Sequence, residues 1–331
     1  MSSDGLYIAW GALNNGSLYL FNRRSAVPIW TFSSAGLASF AMSGNGEYLA
    51  ALAKTTNAAT IFFFGRTSNI PLWAYNMSLG NSQFQVSYNI GISYEGSLVD
   101  VNLNGTLYLF SNRNNQTIWR SNVGPTPAPS VLASAAGDYF ATNNSTGLSI
   151  FGRYSNTSLT TLAGTYPRPR SFSDDGSILV YGSGSQAIAY DWFAKKELVR
   201  GDPQSDGVVS GDGSRIVMFY HGSIRIYDRA GGEICNSSGG FEVAISRNGQ
   251  YIATLNHNSF YFMQAIAQPD QFPYLIIIVS VGASILVAVT GIVVWKRRRA
   301  TMPQSQKKPH KSRFTSWSEL FQAQTEMQEK L

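Results

Sequence analysis

The sequence predicts an all-β protein: a seven-bladed β-propeller followed by a single transmembrane α-helix and a short cytoplasmic tail. Three observations lead there. A Ser-x-x-Gly phrase running into an apolar stretch recurs seven times before residue 263, no helical period intervenes between copies, and one long uncharged apolar run stands near the C-terminus.

The propeller, residues 1–263, is read from the repeat. Its copies are SSDGLYIA, SGNGEYLA, SYEGSLVD, SAAGDYFA, SDDGSILV, SGDGSRIV and SRNGQYIA, with turn glycines Gly5, Gly46, Gly96, Gly137, Gly176, Gly213 and Gly249. After each glycine a further strand ends in an aromatic: Phe21, Phe64, Phe110, Phe151, Tyr190, Tyr227 and Phe262. In the second unit LASFAMS, YLAALA, ATIFFFG and PLWAYN read as strands a to d, with Ser43-Gly44-Asn45-Gly46 as the a–b turn. Asn-Gly and Asp-Gly reach positive φ at little cost and so reverse the chain tightly. Four short strands per repeat are the pattern of a propeller blade. The first copy opens on its turn, without a strand a, and residues 264–272 offer no good strand d to the last copy. The expectation is therefore that strand-like sequence and an export signal precede Met1.

The segments SLYLFNRRSAVPIWTF, TIFFFGRTSNIPLWAY and TLYLFSNRNNQTIWRS resemble the repeats of membrane-anchored, extracytoplasmic propellers, found notably in archaea and grouped with quinoprotein-like or WD-repeat folds. Tyr190-Asp191 and Tyr227-Asp228 stand where a WD repeat has its Trp-Asp pair, but the Gly-His element of such repeats is missing. The resemblance implies a fold and leaves activity open.

Residues 264–273 read as a linker. From Tyr274 to Trp295 the chain carries no charge, enough for a helix to span about 30 Å of hydrocarbon. Lys296, Arg297, Arg298 and Arg299 follow at once, and the twenty residues upstream hold no Lys or Arg. That asymmetry predicts a single-pass protein of the cell membrane with its N-terminal domain outside and residues 296–331 in the cytoplasm. Asn-x-Ser/Thr occurs at Asn15, Asn76, Asn104, Asn115, Asn143, Asn144, Asn156 and Asn236, all upstream, and marks them as glycosylation candidates. Within the span, Ser280, Ser284, Ala288 and Gly291 form a small-residue stripe on which another helix could pack.

The tail adds Lys307, Lys308, Lys311 and Arg313 to the basic run, which suits anionic inner-leaflet lipid. Ser316 and Glu319 form a capping-box pattern, and Phe314, Trp317, Leu320, Phe321, Met327 and Leu331 fall near one helical face. An amphipathic helix over 316–331 is expected, lying on the membrane or docking a cytoplasmic partner.

Net charge is +6, but residues 296–331 hold nine Lys/Arg against three acids, so the excess is in the tail and a nucleic-acid role is not indicated. One cysteine, Cys235, excludes an internal disulfide. The three histidines, His221, His257 and His310, have no metal-ligand spacing. Asp4, Asp174, Asp175 and Asp212 sit at turns, where backbone hydrogen bonding explains them; Ser-x-Asp-Gly also resembles the structural Asp-box turn of sialidases. Trp30, Trp73 and Trp119 recur at one place in three blades and read as packing between blades rather than as a ligand platform. No catalytic, cofactor or metal site emerges, and no cofactor is expected. The preferred function is a non-enzymatic, membrane-anchored scaffold for other proteins of a membrane or cell-surface complex. Two rivals stand beside it: a quinone-dependent dehydrogenase or glycan hydrolase, and a receptor subunit signalling through its tail.

Overall fold

Strand Tyr48–Lys54 reads YLAALAK and buries alternate residues toward two different neighbours, so its sheet needs a partner on each face. The chain supplies such partners in series. The computed structural model describes residues 1–12, 15–79, 88–124, 128–238, 241–256, 259–264 and 277–280. The chain divides into one compact unit, Met1–Val279, and a second, Ser280–Leu331.

Among the described residues seven sheets follow one another along the chain. The first has three strands, β1 (Tyr7–Ala12), β2 (Ser17–Asn22) and β3 (Trp30–Ser33). The second comprises β4 (Leu37–Met42), β5 (Tyr48–Lys54), β6 (Ala58–Gly65) and β7 (Trp73–Ser78). The third comprises β8 (Tyr88–Ile92), β9 (Leu98–Leu103), β10 (Thr106–Ser111) and β11 (Thr117–Asn122). The fourth holds β12 (Val131–Ala133), β13 (Tyr139–Asn143), β14 (Gly147–Gly152) and β15 (Ser158–Ala163). The fifth holds β16 (Arg168–Phe172), β17 (Ile178–Ser183), β18 (Gln186–Asp191) and β19 (Lys196–Arg200). The sixth holds β20 (Asp206–Val209), β21 (Arg215–Tyr220), β22 (Ser223–Asp228) and β23 (Glu233–Ser238). The seventh holds β24 (Glu242–Ile245), β25 (Tyr251–Asn256), β26 (Ser259–Gln264) and β27 (Ile277–Ser280). Each sheet is a meander whose strands hydrogen-bond in chain order, with Leu49 set opposite Met42 on one side and Phe64 on the other.

The first strand of every sheet lies against the first strand of the next, from β1 and β4 through to β20 and β24. This is blade-on-blade packing, and the apolar core lies between blades. Ala50 and Leu52 of β5 join Ile90, Val99 and Phe110 of the third sheet, whereas Leu49 and Ala51 join Leu18, Leu20 and Trp30 of the first. Four further clusters fill the remaining junctions up to Val217, Ile224 and Ile252 between the sixth and seventh sheets.

The recurring tryptophans bolt this stack. Trp30, Trp73 and Trp119 lie 5.6, 5.7 and 5.7 Å from Phe64, Phe110 and Phe151, the strand-end aromatics of the following sheets. Their indole N–H groups donate to the carbonyls of Arg66, Asn112 and Arg153 across the same junctions at 2.8, 3.2 and 2.8 Å. A half-buried polar tip is thereby satisfied where the ring body is packed.

The seventh sheet departs from expectation. Its fourth strand, for which residues 264–272 offer nothing, is β27, drawn from the apolar run 274–295 read above as a helix. Ile277, Ile278 and Val279 are β-branched, so the same residues suit a strand and an apolar span equally. The rest of that span, the linker from residue 265, Lys296 to Arg299, the stripe residues Ser284, Ala288 and Gly291, and the tail helix 316–331 lie outside the described residues. Among the described residues no helix is long and apolar enough to cross a membrane.

The seven turn glycines adopt φ between +65° and +73°. At Gly176 a Cβ would also stand 2.5 Å from the Tyr139 ring, whereas at Gly5 nothing lies within 4 Å. Gly176→Val is expected to cost about 2 kcal/mol or more, and Gly5→Ala about 1 kcal/mol, in urea unfolding. Equal costs at the two sites would contradict the packed-turn geometry.

Candidate functional site

Because the strands of a meander alternate in direction, the a–b and c–d turns leave each sheet at one end and the b–c turns at the other. The a–b and c–d end carries the repeated phrase. Each serine of the phrase, Ser2, Ser43, Ser93, Ser134, Ser173, Ser210 and Ser246, accepts through Oγ the amide of the residue five positions on, at 2.9 to 3.2 Å. Five of these hydroxyls donate in turn to Oδ1 of Asp4, Asn45, Asp175, Asp212 or Asn248. The hydroxyl of Ser2 is the main reason that Asp4 is held below the usual carboxylate range. Burial pushes Asp175 and Asp212 upward, but hydrogen bonds from Ser173 and Ser177, and from Ser210 and Ser214, outweigh it and leave both lowered. These acids serve the turns.

The turns are also tied to one another. The amides of Ser3, Asn45, Tyr94, Asp174 and Asp212 donate to the carbonyls of Gly44, Tyr94, Ala135, Gly211 and Arg247 in the following blade at 2.6 to 3.0 Å. The residues after the phrase serines are Ser3, Gly44, Tyr94, Ala135, Asp174, Gly211 and Arg247, and these bonds tie the first four turns in one series and the last three in another. Three of them are large, and they meet. Arg247 pairs through Nε with Asp174 and lies over the Tyr94 ring at 4.7 Å, joining the seventh, fifth and third blades. Gly44 and Gly211 make room: a Cβ on the first would enter the Tyr94 ring and one on the second the Arg247 side chain. The sequence carried this signal in one column of the repeat, where small residues alternate with large ones, but it gave no reason to place residues 73 apart together.

Beside these residues, the c–d turns present arginines and aliphatics. Arg66 pairs with Glu47 at 2.9 Å and lies 4.4 Å from the Tyr7 ring, and Arg229 pairs with Asp175 at 3.4 Å. Val27, Ile70 and Leu72 expose 72%, 72% and 60% of their surface, and Ile29, Ile118 and Leu159 are exposed as well. Exposed apolar side chains rimmed by polar and charged ones are the kind of patch that marks an interaction site.

A second polar feature is internal. Asp100 of β9 is buried, with neither carboxylate oxygen hydrogen-bonded, at the position that the other repeats fill with Ala9, Ala50, Ala141, Val180, Val217 and Ala253. Opposite it in β8 stands Gly91, where a Cβ would come 2.6 Å from Oδ1. Asn102, on the same face of the strand, donates to Thr142 of the fourth sheet at 2.8 Å but leaves its own Oδ1 unpaired. Burial pushes Asp100 up to about 7.

Six sequon asparagines, Asn15, Asn76, Asn104, Asn115, Asn156 and Asn236, are exposed. Asn144 is half-buried and caps its turn, donating to Val123 O at 2.7 Å. Asn143 is buried and holds Ser130 and Ala128, so a glycan there is incompatible with the folded blade. His221 occupies a b–c turn between the Tyr220 and Phe241 rings, while His257 and His310 lie outside the described residues. Cys235 packs half-buried against the last core cluster. Among the described residues no three His, Cys, Asp or Glu side chains are grouped to hold a metal ion.

No family model matches the sequence, and no curated protein matches it either. Solved structures do resemble it. The C-terminal WD40 domain of Sif2 aligns with TM-score 0.59 at 12% identity, over 81% of this chain and 80% of that one. The β-propeller domain of Cps50 (Swd1) from Myceliophteria thermophila aligns with TM-score 0.53 at 12% identity, over 78% and 91%. A chain of the mitotic checkpoint complex aligns with TM-score 0.55 at 15% identity, over 80% and 87%. These likenesses establish the fold as a β-propeller like those of WD repeats.

Asp100 makes stability depend on pH. Burial puts its folded pKa at about 7, above the ordinary 3.8 of an aspartate, so the folded state holds the proton more tightly than the unfolded chain. Its contribution is complete below pH 3.8 and is lost as pH rises to about 7. The loss is on the order of 4 kcal/mol at most. Unfolding measured between pH 4 and 8 is expected to show this decline, and Asp100→Ala to flatten it. The same slope in both proteins would remove Asp100 as its source.

Proposed function

We propose that the protein is a non-enzymatic interaction scaffold whose partner-binding surface is the a–b and c–d turn end of the propeller. The observation that carries this reading is the set of exposed aliphatics, Val27, Ile29, Ile70, Leu72, Ile118 and Leu159, beside the arginines of that end. A surface held by interblade hydrogen bonds loses little conformational freedom on binding. Two further features agree with it: the turn acids are engaged in the turns themselves, and one of the similar chains belongs to an assembly, the mitotic checkpoint complex.

We further propose that the propeller is held outside the cytoplasm at the cell membrane by residues 274–295, with partners drawn from the same membrane complex. The uncharged run, the basic residues after it and six exposed sequons support this. A span over 274–295 and the pairing of β27 are exclusive uses of Ile277–Ser280, so anchoring requires this four-residue strand to leave the edge of its sheet. A short edge strand is the least costly one to give up.

Ile70→Glu with Leu72→Glu in the full chain is expected to abolish the proteins that co-purify with it from native membranes, without a change in melting temperature. An unchanged set of co-purifying proteins would reject the turn end as the interface. Glycosidase treatment of intact cells is expected to shift the mobility of the wild-type chain, and no shift would reject the outward orientation.

A further inference from the structure

Four blades place an arginine just after the third strand, Arg23, Arg66, Arg153 and Arg229, and of these Arg66 and Arg229 meet a carboxylate. At the junction of the first and second blades, Arg66 is enclosed: its guanidinium lies over Tyr7 and pairs with Glu47, whose carbonyl also accepts the Arg66 amide at 2.8 Å. At the junction of the fifth and sixth blades, Arg229 is bound by Asp175 and by the Ser177 hydroxyl at 3.0 Å. At the junction of the third and fourth blades, Arg153 holds the same place, its amide donating to Asp138 O at 2.9 Å.

None of the neutralising groups reaches it there. Asp138 is one methylene shorter than Glu47 and makes no ion pair with Arg153. Glu95, the counterpart of Asp175, is drawn instead to the second blade, where Oε2 accepts from Asn45 Nδ2 at 2.9 Å. The counterpart of Tyr7 is Leu98, too short to cover the guanidinium. What remains is an open cleft of about 560 Å³ lined by Ser97, Leu98, Ser111, Arg113, Ile118 and Arg153. Neither Arg113 nor Arg153 meets a carboxylate among the described residues; the nearest aromatic partner is Tyr154, 5.6 Å from Arg153.

We infer that this cleft is a binding site for an oxyanion, the carboxylate side chains of an acidic peptide segment on a protein partner. Two unpaired guanidiniums supply planar donor pairs suited to a carboxylate, and the Ser97 and Ser111 hydroxyls offer neutral donors beside them. Ile118, 44% exposed, gives an apolar wall for the rest of the segment. A peptide source is chosen because this cleft opens on the same turn end as the exposed aliphatics, so the inference rests on the scaffold reading and adds the partner's chemistry to it.

The test is calorimetric titration of the full chain in detergent with a hexa-aspartate peptide and, separately, with inorganic phosphate. The peptide is expected to bind saturably, to weaken with salt, and to lose at least tenfold in affinity in Arg113→Ala/Arg153→Ala. The bond from Trp119 is to the Arg153 backbone and survives that change, so the melting temperature should hold. Leu98→Tyr keeps the charge and puts a ring at the place from which Tyr7 covers Arg66, and is expected to weaken peptide binding. Peptide binding that is absent, or undiminished in the double alanine variant, overturns the inference, as does phosphate binding that the peptide does not displace. If Ile70→Glu with Leu72→Glu abolishes partner recovery while the peptide fails to bind, the scaffold stands and the cleft assignment falls.

Discussion

No blade of this protein has a core of its own. Each sheet is one residue thick, and β5 shows the consequence: Leu49 and Ala51 are buried by one neighbour, Ala50 and Leu52 by the other. Stability is therefore a property of the junctions, and the chain repeats whatever secures a junction. Indole N–H groups, strand-end aromatics and interblade amides at the turns all act on the seam between sheets. Burial at a seam is non-directional, so something must also set the angle and register of each blade. The phrase serine does that: its hydroxyl fixes the reversal from the first strand to the second by accepting the same amide in every repeat.

With the frame secured this way, variation is confined to places the frame does not use. One is the residue after the serine, where Tyr94, Asp174 and Arg247 interlock among smaller neighbours. Another is the c–d turn, where Arg66 and Arg229 meet carboxylates and Arg153 lines an open cleft. The third is β9, where Asp100 replaces Ala or Val and Gly91 yields the space it needs. A repeated frame carrying a few unrepeated residues is how a scaffold acquires specificity without losing its fold.

The local parts of this were legible in the sequence. The seven glycines, the serine-headed turns and the role of Trp30, Trp73 and Trp119 follow from spacing and turn chemistry, which act over a few residues. The contact of Arg247 with Asp174 and Tyr94 was not legible, because these residues are far apart in sequence and meet only through the packing of the blades. Nor was the open cleft, since Arg153 and Leu98 each look ordinary until compared with Arg66 and Tyr7 at another junction. The apolar run at 274–295 predicts a helix; of it the described residues are Ile277–Ser280, which pair as a strand. Hydropathy measures the preference for an apolar setting, and a β-branched run satisfies it in a sheet edge or in lipid.

The interface proposed for partners is the turn end of the propeller. Placing a photo-crosslinking residue at Ile70, on that end, and at Asn57, in the b–c turn of the same blade, puts that interface to one measurement in native membranes. Crosslinks to another protein from position 70 and none from position 57 are the predicted result. Crosslinks from position 57 alone, or from both positions equally, would contradict it.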